Sequence, residues 1–549
     1  MTQPGGLNPH STLHNLPESR HFNLSRTDVV VLILLSSAAA IFVWKGYLDL
    51  VPALLHPSAA EYWFESDPAP VFDLMQNRWS PAHERTVRHP LLSVLTFPFV
   101  YLMREGLGVT SQTAVGLYLA ALGALWIGLI FLTLRLLDLR RLDAILFSVL
   151  AGASGAAMFW LPVPESYSLG SISILTAVAA AAFTERLGRG KRLWCFLLVV
   201  VCAFTLSTTA TNWIAGLILL WLIFDPRQAV LYGLASLGLI LLGWGIQSLI
   251  FPSSRFFVGS TPRFLNYILT PPAQGALAIG TAFAAHSVVT PAPKEKYDTY
   301  LGVQGVSHQA WPGNVAAVAW TLLLVLALGV LNQVYCLWTV QMLISLILAQ
   351  LALHFIVGWE TFVYSLHFGP LLVILTATVA LTRLRPLALG LALTVALFGG
   401  YNNHTRFREA SRLLSDKVER THRLAIRVSD VTESDAKIVV GQRPEFPGPP
   451  GTSRRRPQRP PTADFQPRLL PYGRVGWTLP HEEWFPEVIE NLRAKGARYF
   501  VTEYVRGLER NRAFAEGMAG RHRLLESTPH WVMYSLDGGQ RPARVGSSR

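Results

Sequence analysis

Residues 27–46, TDVVVLILLSSAAAIFVWKG, form the first of several long apolar runs and set the class of the chain. Twenty helical residues cover about 30 Å, which is the thickness of the hydrocarbon core of a bilayer. The run follows a polar stretch, residues 1–26, and no small-residue cleavage motif comes after it. We therefore expect a retained membrane-spanning helix with a polar N-terminal tail, not a cleaved signal peptide.

The composition of the whole chain predicts a polytopic membrane protein. Of the 549 residues, 51% are hydrophobic and only 15% are charged, whereas soluble domains average about 25% charged residues. The net charge of +13 is typical of basic cytoplasmic loops and headgroup contacts, and we expect no nucleic-acid partner. The three cysteines lie in apolar runs, so we expect neither a disulfide framework nor a CxxC metal site.

The apolar runs predict eleven membrane-spanning helices within residues 27–402. Basic clusters at 135–141, 186–192 and 383–385 fall on one side of this arrangement, which the positive-inside rule makes the cytoplasm. The N-terminal tail is then cytoplasmic, and the loops at 47–111 and 251–312 lie outside. The predicted spans are residues 27–46, 112–134, 142–160, 166–185, two within 193–224, 229–250, 313–331, 336–357, 365–382 and 386–402.

Two segments of the membrane part allow more than one interpretation. Residues 193–224 would make a helix of about 48 Å, too long for one span, so the polar run 207–212 should divide it into two helices. A single tilted helix would instead reverse the side of every later loop. Residues 90–103 are apolar but short and contain Pro98, and they predict a helix lying in the outer interface.

Residues 403–549 predict a soluble α/β appendage on the same side as the two large loops. A charged helix at 405–427 precedes a strand at 437–441, and residues 443–476, rich in Pro, Gly and Arg, predict a linker. Alternating helices and strands then indicate a small α/β module. The remaining predicted elements are helices at 481–496 and 508–520 and strands at 497–503 and 530–536.

Residues 61–90, EYWFESDPAPVFDLMQNRWSPAHERTVRHP, gather charged and aromatic side chains between two apolar runs. Carboxylates, imidazoles and guanidiniums at one membrane edge, among aromatics suited to the interface, are typical of a reaction site. An ordinary solvated loop is the alternative. The titratable side chains of this stretch are Glu61, Glu65, Asp67, Asp73, His83, Glu84, Arg85, Arg88 and His89.

The segments FESDPAPVFD (64–73) and TVRHPLL (86–92) resemble the GT-C glycosyltransferases, a superfamily that includes protein O-mannosyltransferases and lipid A aminoarabinose transferases. The order of a first span, an acidic outer loop, a His-Pro step, an interfacial helix and a span ending in basic residues is similar too. The resemblance covers residues 27–402 in topology. It implies a polyprenyl-phosphate-linked sugar donor and transfer on the outer face to a glycan, lipid or protein acceptor.

The acidic motif of the superfamily falls on Asp67, with Glu65 or Asp73 as its companion. Glu65 and Asp67 are not adjacent, because Ser66 lies between them. The choice of the catalytic acid among Glu65, Asp67 and Asp73 therefore stays open. An acceptor hydroxyl holds its proton at neutral pH, and a positioned carboxylate must take that proton during attack on the anomeric carbon. We expect Asp67 to be this base, and a turn or cap residue before Pro68 is the alternative.

Cations are needed for the other half of such a reaction, because the departing polyprenyl phosphate gains negative charge. Glu165, in PESYS, should either contact substrate or stabilise a helix N-terminus. His83 and Asp73 are candidates for a divalent cation, although their spacing matches no metal motif and no other cofactor is indicated. The candidate phosphate ligands are Arg85, Arg88 and His89 in the first loop and Arg255, Arg263, Lys294 and Lys296 in the large loop, with headgroup contact as the alternative.

The sequence thus predicts an integral membrane glycosyltransferase of a bacterial inner membrane, with its C-terminal module in the periplasm. No P-loop or Gly-rich dinucleotide motif indicates a nucleotide-sugar site on the cytoplasmic side. A transporter or lipid flippase is a rival, but it should carry charges near the bilayer midplane and show repeated halves. A noncatalytic envelope assembly factor is a third alternative.

Overall fold

Helices build most of the chain in the computed structural model. Seven helices in the described residues are long and apolar enough to cross a membrane, as expected of a helical membrane protein. They are Arg26–Leu54, Ser111–Leu136, Tyr167–Arg186, Pro226–Ile250, Trp311–Gly329, Trp338–Ile356 and Thr361–Leu381. The structure describes residues 25–56, 59, 61–187, 192–257, 275–296, 300–303, 310–357, 361–431, 437–442, 468–469, 475–480, 486–502, 512–528 and 530–536.

The helices of the membrane part follow one another in chain order with short connections. They are α1 (Arg26–Leu54), α2 (Pro68–Gln76), α3 (Leu92–Leu107), α4 (Ser111–Leu136), α5 (Arg141–Ala153), α6 (Gly155–Trp160), α7 (Tyr167–Leu187), α8 (Arg192–Thr208), α9 (Trp213–Ile223), α10 (Pro226–Ile250), α11 (Ala276–Thr281), α12 (Trp311–Gly329), α13 (Leu331–Val334), α14 (Trp338–Val357), α15 (Ser365–Ala377), α16 (Arg385–Thr394) and α17 (Gly400–Val431). Short 3-10 turns cover Pro81–Val87, Ala210–Asn212, Thr361–Tyr364 and Thr378–Leu381, and π turns cover Ala282–His286 and Val395–Gly399.

The prediction of eleven spans is therefore not confirmed, since four of the predicted spans are not among the seven helices of the described residues that meet the criteria of length and hydropathy. One is residues 142–160, which break into α5 and α6 at Ser154. The Ser154 hydroxyl accepts a hydrogen bond from the backbone of Ala157 and so begins a new helix. A side chain at Gly155 would meet the Thr290 hydroxyl, so only glycine lets residues 287–290 approach the start of α6.

The predicted break at 207–212 is confirmed, because α8 ends at Thr208 and α9 begins at Trp213. Each of these helices is shorter than a full span. They pack closely, and a Cβ at Gly216 would lie 2.7 Å from the Cα of Cys202. The connecting turn reaches the first loop, where the backbone N–H of Leu91 donates to Ser207 O at 2.9 Å.

The predicted basic clusters lie at one end of the helix bundle, which we call the basic end. Residues of each cluster form ion pairs there. Asp28, near the start of α1, accepts from Arg141 at 2.8 Å and lies 3.2 Å from Arg135. Arg385 contacts Asp143 at 2.7 Å. The other contacts at this end are Arg186 with Asp138 and Glu185 with the backbone of Trp338 at 3.0 Å. The opposite end, which holds the first loop, is called the loop end below.

The last span differs from its prediction, because it does not stop near residue 402. Helix α16, the π turn Val395–Gly399 and α17 follow one another without a gap. The charged helix expected at 405–427 is thus the continuation of the last membrane helix. Its far end buries Leu424 and Val428 against Ile438 and Val440 of the C-terminal sheet.

The C-terminal region contains the small α/β module that the alternating pattern predicts. Its strands are β3 (Lys437–Gln442), β4 (Arg468–Leu469), β5 (Val475–Pro480), β6 (Ala497–Thr502), β7 (Arg523–Ser527) and β8 (Val532–Ser535), and its helices are α18 (Pro486–Ala494) and α19 (Arg512–Arg521). The sheet order is β4-β5-β3-β6-β8-β7, with β3 parallel to both neighbours. Most of the predicted 443–476 linker lies outside the described residues.

A two-stranded hairpin from the large loop lies beside the first loop. It pairs β1 (Lys294–Lys296) with β2 (Tyr300–Gly302) in antiparallel fashion. The Leu301 N–H donates to Tyr62 O at 2.8 Å, and the Tyr62 hydroxyl donates to Glu295 at 2.9 Å. Arg420 of α17 contacts the same carboxylate at 2.7 Å. These bonds join both large loops to the last helix.

Candidate active site

Asp67 lies where the first loop turns into α2, at the N-cap position of that helix. Its side chain makes no capping hydrogen bond, although aspartate is among the best capping residues. The carboxylate instead accepts a hydrogen bond of 2.7 Å from Nη1 of Arg85. Because the Asp67 side chain is 31% exposed, a molecule arriving at the loop end can reach it. The Asp67 side chain therefore does not cap α2, which was the alternative role for this residue.

Glu165 is the buried acid of the site, with a side chain that is only 1% exposed. Its Oε1 accepts from the backbone N–H of Asp67 at 2.8 Å, and its Oε2 accepts from that of Ser166 at 3.0 Å. Burial raises the pKa of the Glu165 carboxyl, while Arg85 and the two N–H groups oppose this rise. Glu165 thus holds the first loop against the start of α7.

Arg85 joins the two carboxylates from the 3-10 turn Pro81–Val87. Its Nη2 lies 3.8 Å from Glu165, and Nη1 contacts Asp67. Burial alone would lower the pKa of Arg85, but Glu165 and Asp67 outweigh it and raise the pKa above its ordinary value. The Arg85 Nε has no hydrogen-bond partner within the described part of the chain. We refer to Asp67, Arg85 and Glu165 as the acid–arginine cluster.

The loop that leads into the cluster has a strained backbone. Glu61, Phe64 and Glu65 have φ of 59°, 52° and 60°, in the left-handed region that residues with side chains rarely adopt. Aromatic packing holds this turn, since Trp63 and Phe64 are fully buried with ring centroids 5.9 and 5.6 Å from that of Phe159. Strain of this kind collects at functional sites. Glu65, the second candidate acid, belongs to this turn and not to the cluster.

Asp73 and His83, the candidates for a cation, form a separate hydrogen-bonded group. Asp73 accepts from the Ser80 hydroxyl. The His83 Nε2–H donates to Asn77 O at 2.9 Å, because a carbonyl only accepts, and His83 Nδ1 therefore accepts from the Ser93 hydroxyl at 2.8 Å. Burial lowers the pKa of His83. Both ring nitrogens are engaged, and no group of three His, Cys, Asp or Glu suited to a metal occurs among the described residues.

His89 does not supply the positive charge that the sequence suggested. It is 9% exposed, and burial followed by the charge of Arg85 lowers its pKa to about 3. Its Nδ1–H donates to Thr208 O at 2.9 Å, so the unprotonated Nε2 faces the Ser166 hydroxyl at 3.4 Å. His89 is therefore a neutral residue that links the first loop, the α8–α9 turn and the start of α7.

The other candidate cations lie around the loop end, outside the acid–arginine cluster. Arg88 is exposed and close enough for its charge to act on His89. Arg255 is exposed and lies 3.4 Å from Glu84. Lys294 and Lys296 belong to β1, where Lys294 is exposed and Lys296 lies over the Tyr300 ring at 5.5 Å. Arg263 lies outside the described residues.

Several buried polar groups beside the cluster were not among the predicted site residues. The Tyr167 ring lies 5.7 Å from that of Tyr364 and 6.2 Å from that of His367. His367 Nε2 and Asn212 Oδ1 are buried without a hydrogen-bond partner in the described ranges. A Cβ at position 170 would lie 2.5 Å from His367 Nε2, so Gly170 makes room for this imidazole. Tyr167 directly follows PES in the sequence, a polar break between apolar runs that could have drawn attention to it.

No family model matches the chain, and no curated protein matches it at a significant level. An accessible carboxylate is paired with a guanidinium, and both are held by a buried acid at the end of a membrane bundle. Such an arrangement can accept a proton and bind an anion in one place.

Proposed function

We propose that the protein is an integral membrane glycosyltransferase that moves a sugar from a polyprenyl-phosphate-linked donor to an acceptor at the outer face of a membrane. Asp67 acts as the general base. The main supporting observation is that the Asp67 carboxylate does not cap α2 but accepts a hydrogen bond from Arg85 at 2.7 Å. Glu165 accepts a hydrogen bond from the backbone N–H of Asp67. The resemblance of FESDPAPVFD and TVRHPLL to the GT-C superfamily supplies the substrate class.

Asp67 and Arg85 have different roles in this reaction. Asp67 takes the proton of the acceptor hydroxyl while the acceptor oxygen forms its bond to the anomeric carbon. The bond from that carbon to the donor phosphate breaks, and the phosphate leaves with the electron pair. Arg85 contacts Asp67 and Arg88 is exposed close by, so positive charge lies where the phosphate gains negative charge.

The position of the cluster relative to the basic end supports chemistry on the outer side. The basic residues of α4, α5, α7 and α16 gather at the opposite end of the bundle. The positive-inside rule assigns that end to the cytoplasm. In this orientation the first loop, the β1–β2 hairpin and the C-terminal sheet face the periplasm of a bacterial inner membrane, and the sheet borders the route of the acceptor.

The proposed base is tested in a strain that lacks the protein. Such a strain should accumulate a lipid-linked sugar, which mass spectrometry of extracted lipids detects whatever the identity of the sugar. Wild-type protein should remove this intermediate. Asp67→Asn keeps the shape but cannot accept a proton at neutral pH, and it should lower transfer about 10²–10⁴-fold, the usual share of general base catalysis.

Two matched variants make this test decisive. Glu84→Gln changes an exposed acid of the same loop and should transfer sugar like wild type. Asp73→Asn decides between the two candidate acids: loss of transfer in Asp73→Asn with normal transfer in Asp67→Asn would reverse their roles. Normal transfer in both variants, or no lipid-linked sugar in the deletion strain, would refute the proposed function.

The orientation is tested separately by cysteine labelling. The native Cys195, Cys202 and Cys336 are first replaced, and a cysteine is then placed at exposed Lys294 in β1 or at exposed Gln228 near the start of α10. Lys294→Cys should react with an impermeant maleimide in intact cells. Gln228→Cys should react only after the membrane is opened. The opposite pattern would place the acid–arginine cluster in the cytoplasm.

A further inference from the structure

A groove runs between α12 and the continuous helix formed by α16 and α17. Its outer part is a cavity of about 480 Å³, lined by Trp311, Leu397, Tyr401 and Arg406 among others. Its inner part is a cavity of about 420 Å³ with an almost wholly apolar lining that includes Val315, Val318, Leu322 and Leu391. Val318 is 61% exposed and Leu322 50%, so the groove opens sideways from the bundle, towards the space that lipid occupies.

The length of the groove matches one lipid molecule. Positions 391 and 406 lie on one continuous helix, and a rise of 1.5 Å per residue separates them by about 22 Å. The hydrocarbon of a single leaflet is about 15 Å deep, half of the bilayer core. The groove therefore has room for the upper part of an acyl chain and, beyond it, for a headgroup.

The two ends of the groove differ in chemistry as the two ends of a phospholipid do. Trp311 and Tyr401 flank the outer end, where aromatic residues suit the membrane interface. Arg406 lies among them with a side chain that is 13% exposed. Its Nη1 donates to Glu409 at 2.8 Å, whereas its Nε has no partner in the described ranges. A guanidinium has five N–H donors, and those other than the buried Nε–H and the Nη1–H that Glu409 accepts are the ones that a phosphate can use.

We propose that this groove is a binding site for one anionic phospholipid of the surrounding leaflet. Arg406 binds the phosphate, Trp311 and Tyr401 border the headgroup, and an acyl chain lies along Val315, Val318 and Leu391. A membrane lipid fits better than a soluble phosphate ligand, because the inner half of the site is apolar and opens laterally. This site is separate from the acid–arginine cluster, and the proposal does not depend on the glycosyltransferase function.

The site is tested on the full-length protein in detergent by native mass spectrometry. Phosphatidylglycerol and phosphatidylcholine are offered in equal amounts, and retained lipid is counted at rising activation energy. Wild-type protein should keep one phosphatidylglycerol. Arg406→Gln should lower the retained fraction about tenfold, the effect of losing one charge-assisted hydrogen bond. Val318→Trp fills the apolar half of the groove from an exposed position and should displace the same lipid.

The matched control is Arg412→Gln, which removes one positive charge from the same helix at a side chain that is 84% exposed and away from the groove. It should retain phosphatidylglycerol like wild type. Equal losses in Arg406→Gln and Arg412→Gln would show bulk attraction and overturn the site. Retention of phosphatidylcholine as strongly as phosphatidylglycerol, unchanged retention in Val318→Trp, or retention of an isoprenoid phosphate alone would also overturn it.

Discussion

Removing the Glu165 carboxylate should destabilise the protein more than any exposed acid of the same loop. Glu165→Ala leaves the backbone N–H groups of Asp67 and Ser166 without their acceptor. An unsatisfied buried donor costs about 1–3 kcal/mol, so the two together cost about 2–6 kcal/mol. Arg85 keeps its 2.7 Å bond to Asp67, which limits the added penalty of breaking a buried ion pair. We expect a loss of about 3 kcal/mol, near the lower part of this range.

The assay is the free energy of unfolding from SDS titration of the purified protein in mixed micelles. Glu84→Ala is the matched control, because Glu84 is 55% exposed and its contact with Arg255 is 3.4 Å long. An exposed pair of this kind contributes about 0–1 kcal/mol. Glu165→Gln retains a side-chain oxygen and should lie between the two. A Glu165→Ala value within about 1 kcal/mol of the Glu84→Ala value would refute the bracing role of Glu165.

Two further predictions follow from buried groups near the site. The folded-state pKa of His89 is lowered to about 3, so its contribution to stability is present above the unfolded-state pKa of about 6.5 and is lost as the pH falls below it. By pH 5 the loss is about 2 kcal/mol, and His89→Gln should flatten this part of an SDS-titration pH profile. An unchanged profile would mean that the fold does not lower the pKa of His89. Gly170→Ala places a methyl group 2.5 Å from His367 Nε2 and should cost about 1–3 kcal/mol in the same titration, whereas Gly245→Ala, with open space around it, should be neutral or stabilising. Equal effects of the two glycine variants would contradict the tight packing at Gly170.

The long apolar runs predict helices reliably, because length and hydrophobicity alone decide whether a segment can cross a bilayer. They do not show where such a run is interrupted by packing. Residues 142–160 look uniform in sequence, but at the break after Ser154 the backbone N–H groups of Gly155 and Ala156 donate to the distant Val288 and Ser287. The continuity of α16 with α17 was missed for a related reason. A change from apolar to charged residues marks the membrane boundary, whereas the helix continues through it.

In the candidate site, too, the local sequence indicates single residues but not the contacts between residues that are distant in the chain. The acidic loop indicates Asp67, and the positive-inside rule puts Asp67 and Glu165 at the same end of the bundle. No pattern shows that Arg85 joins these two acids, which are 98 residues apart in sequence. His89 was expected to be a cation from its type and neighbours. Its neutrality comes from burial beneath the α8–α9 turn, a tertiary contact.

The unbroken helix that begins at Arg385 connects the C-terminal sheet mechanically to the membrane bundle. Its outer section, Gly400–Val431, is about 48 Å long, so a tilt of about 5° at its base moves its tip by about 4 Å. The tip is fastened to the sheet by Leu424 and Val428. Arg406 lies about 9 Å above the base of this section, so the same tilt moves this residue of the proposed phospholipid groove by less than about 1 Å. A partner or polymer that pulls on the sheet would therefore act on the helix that borders the proposed phospholipid groove.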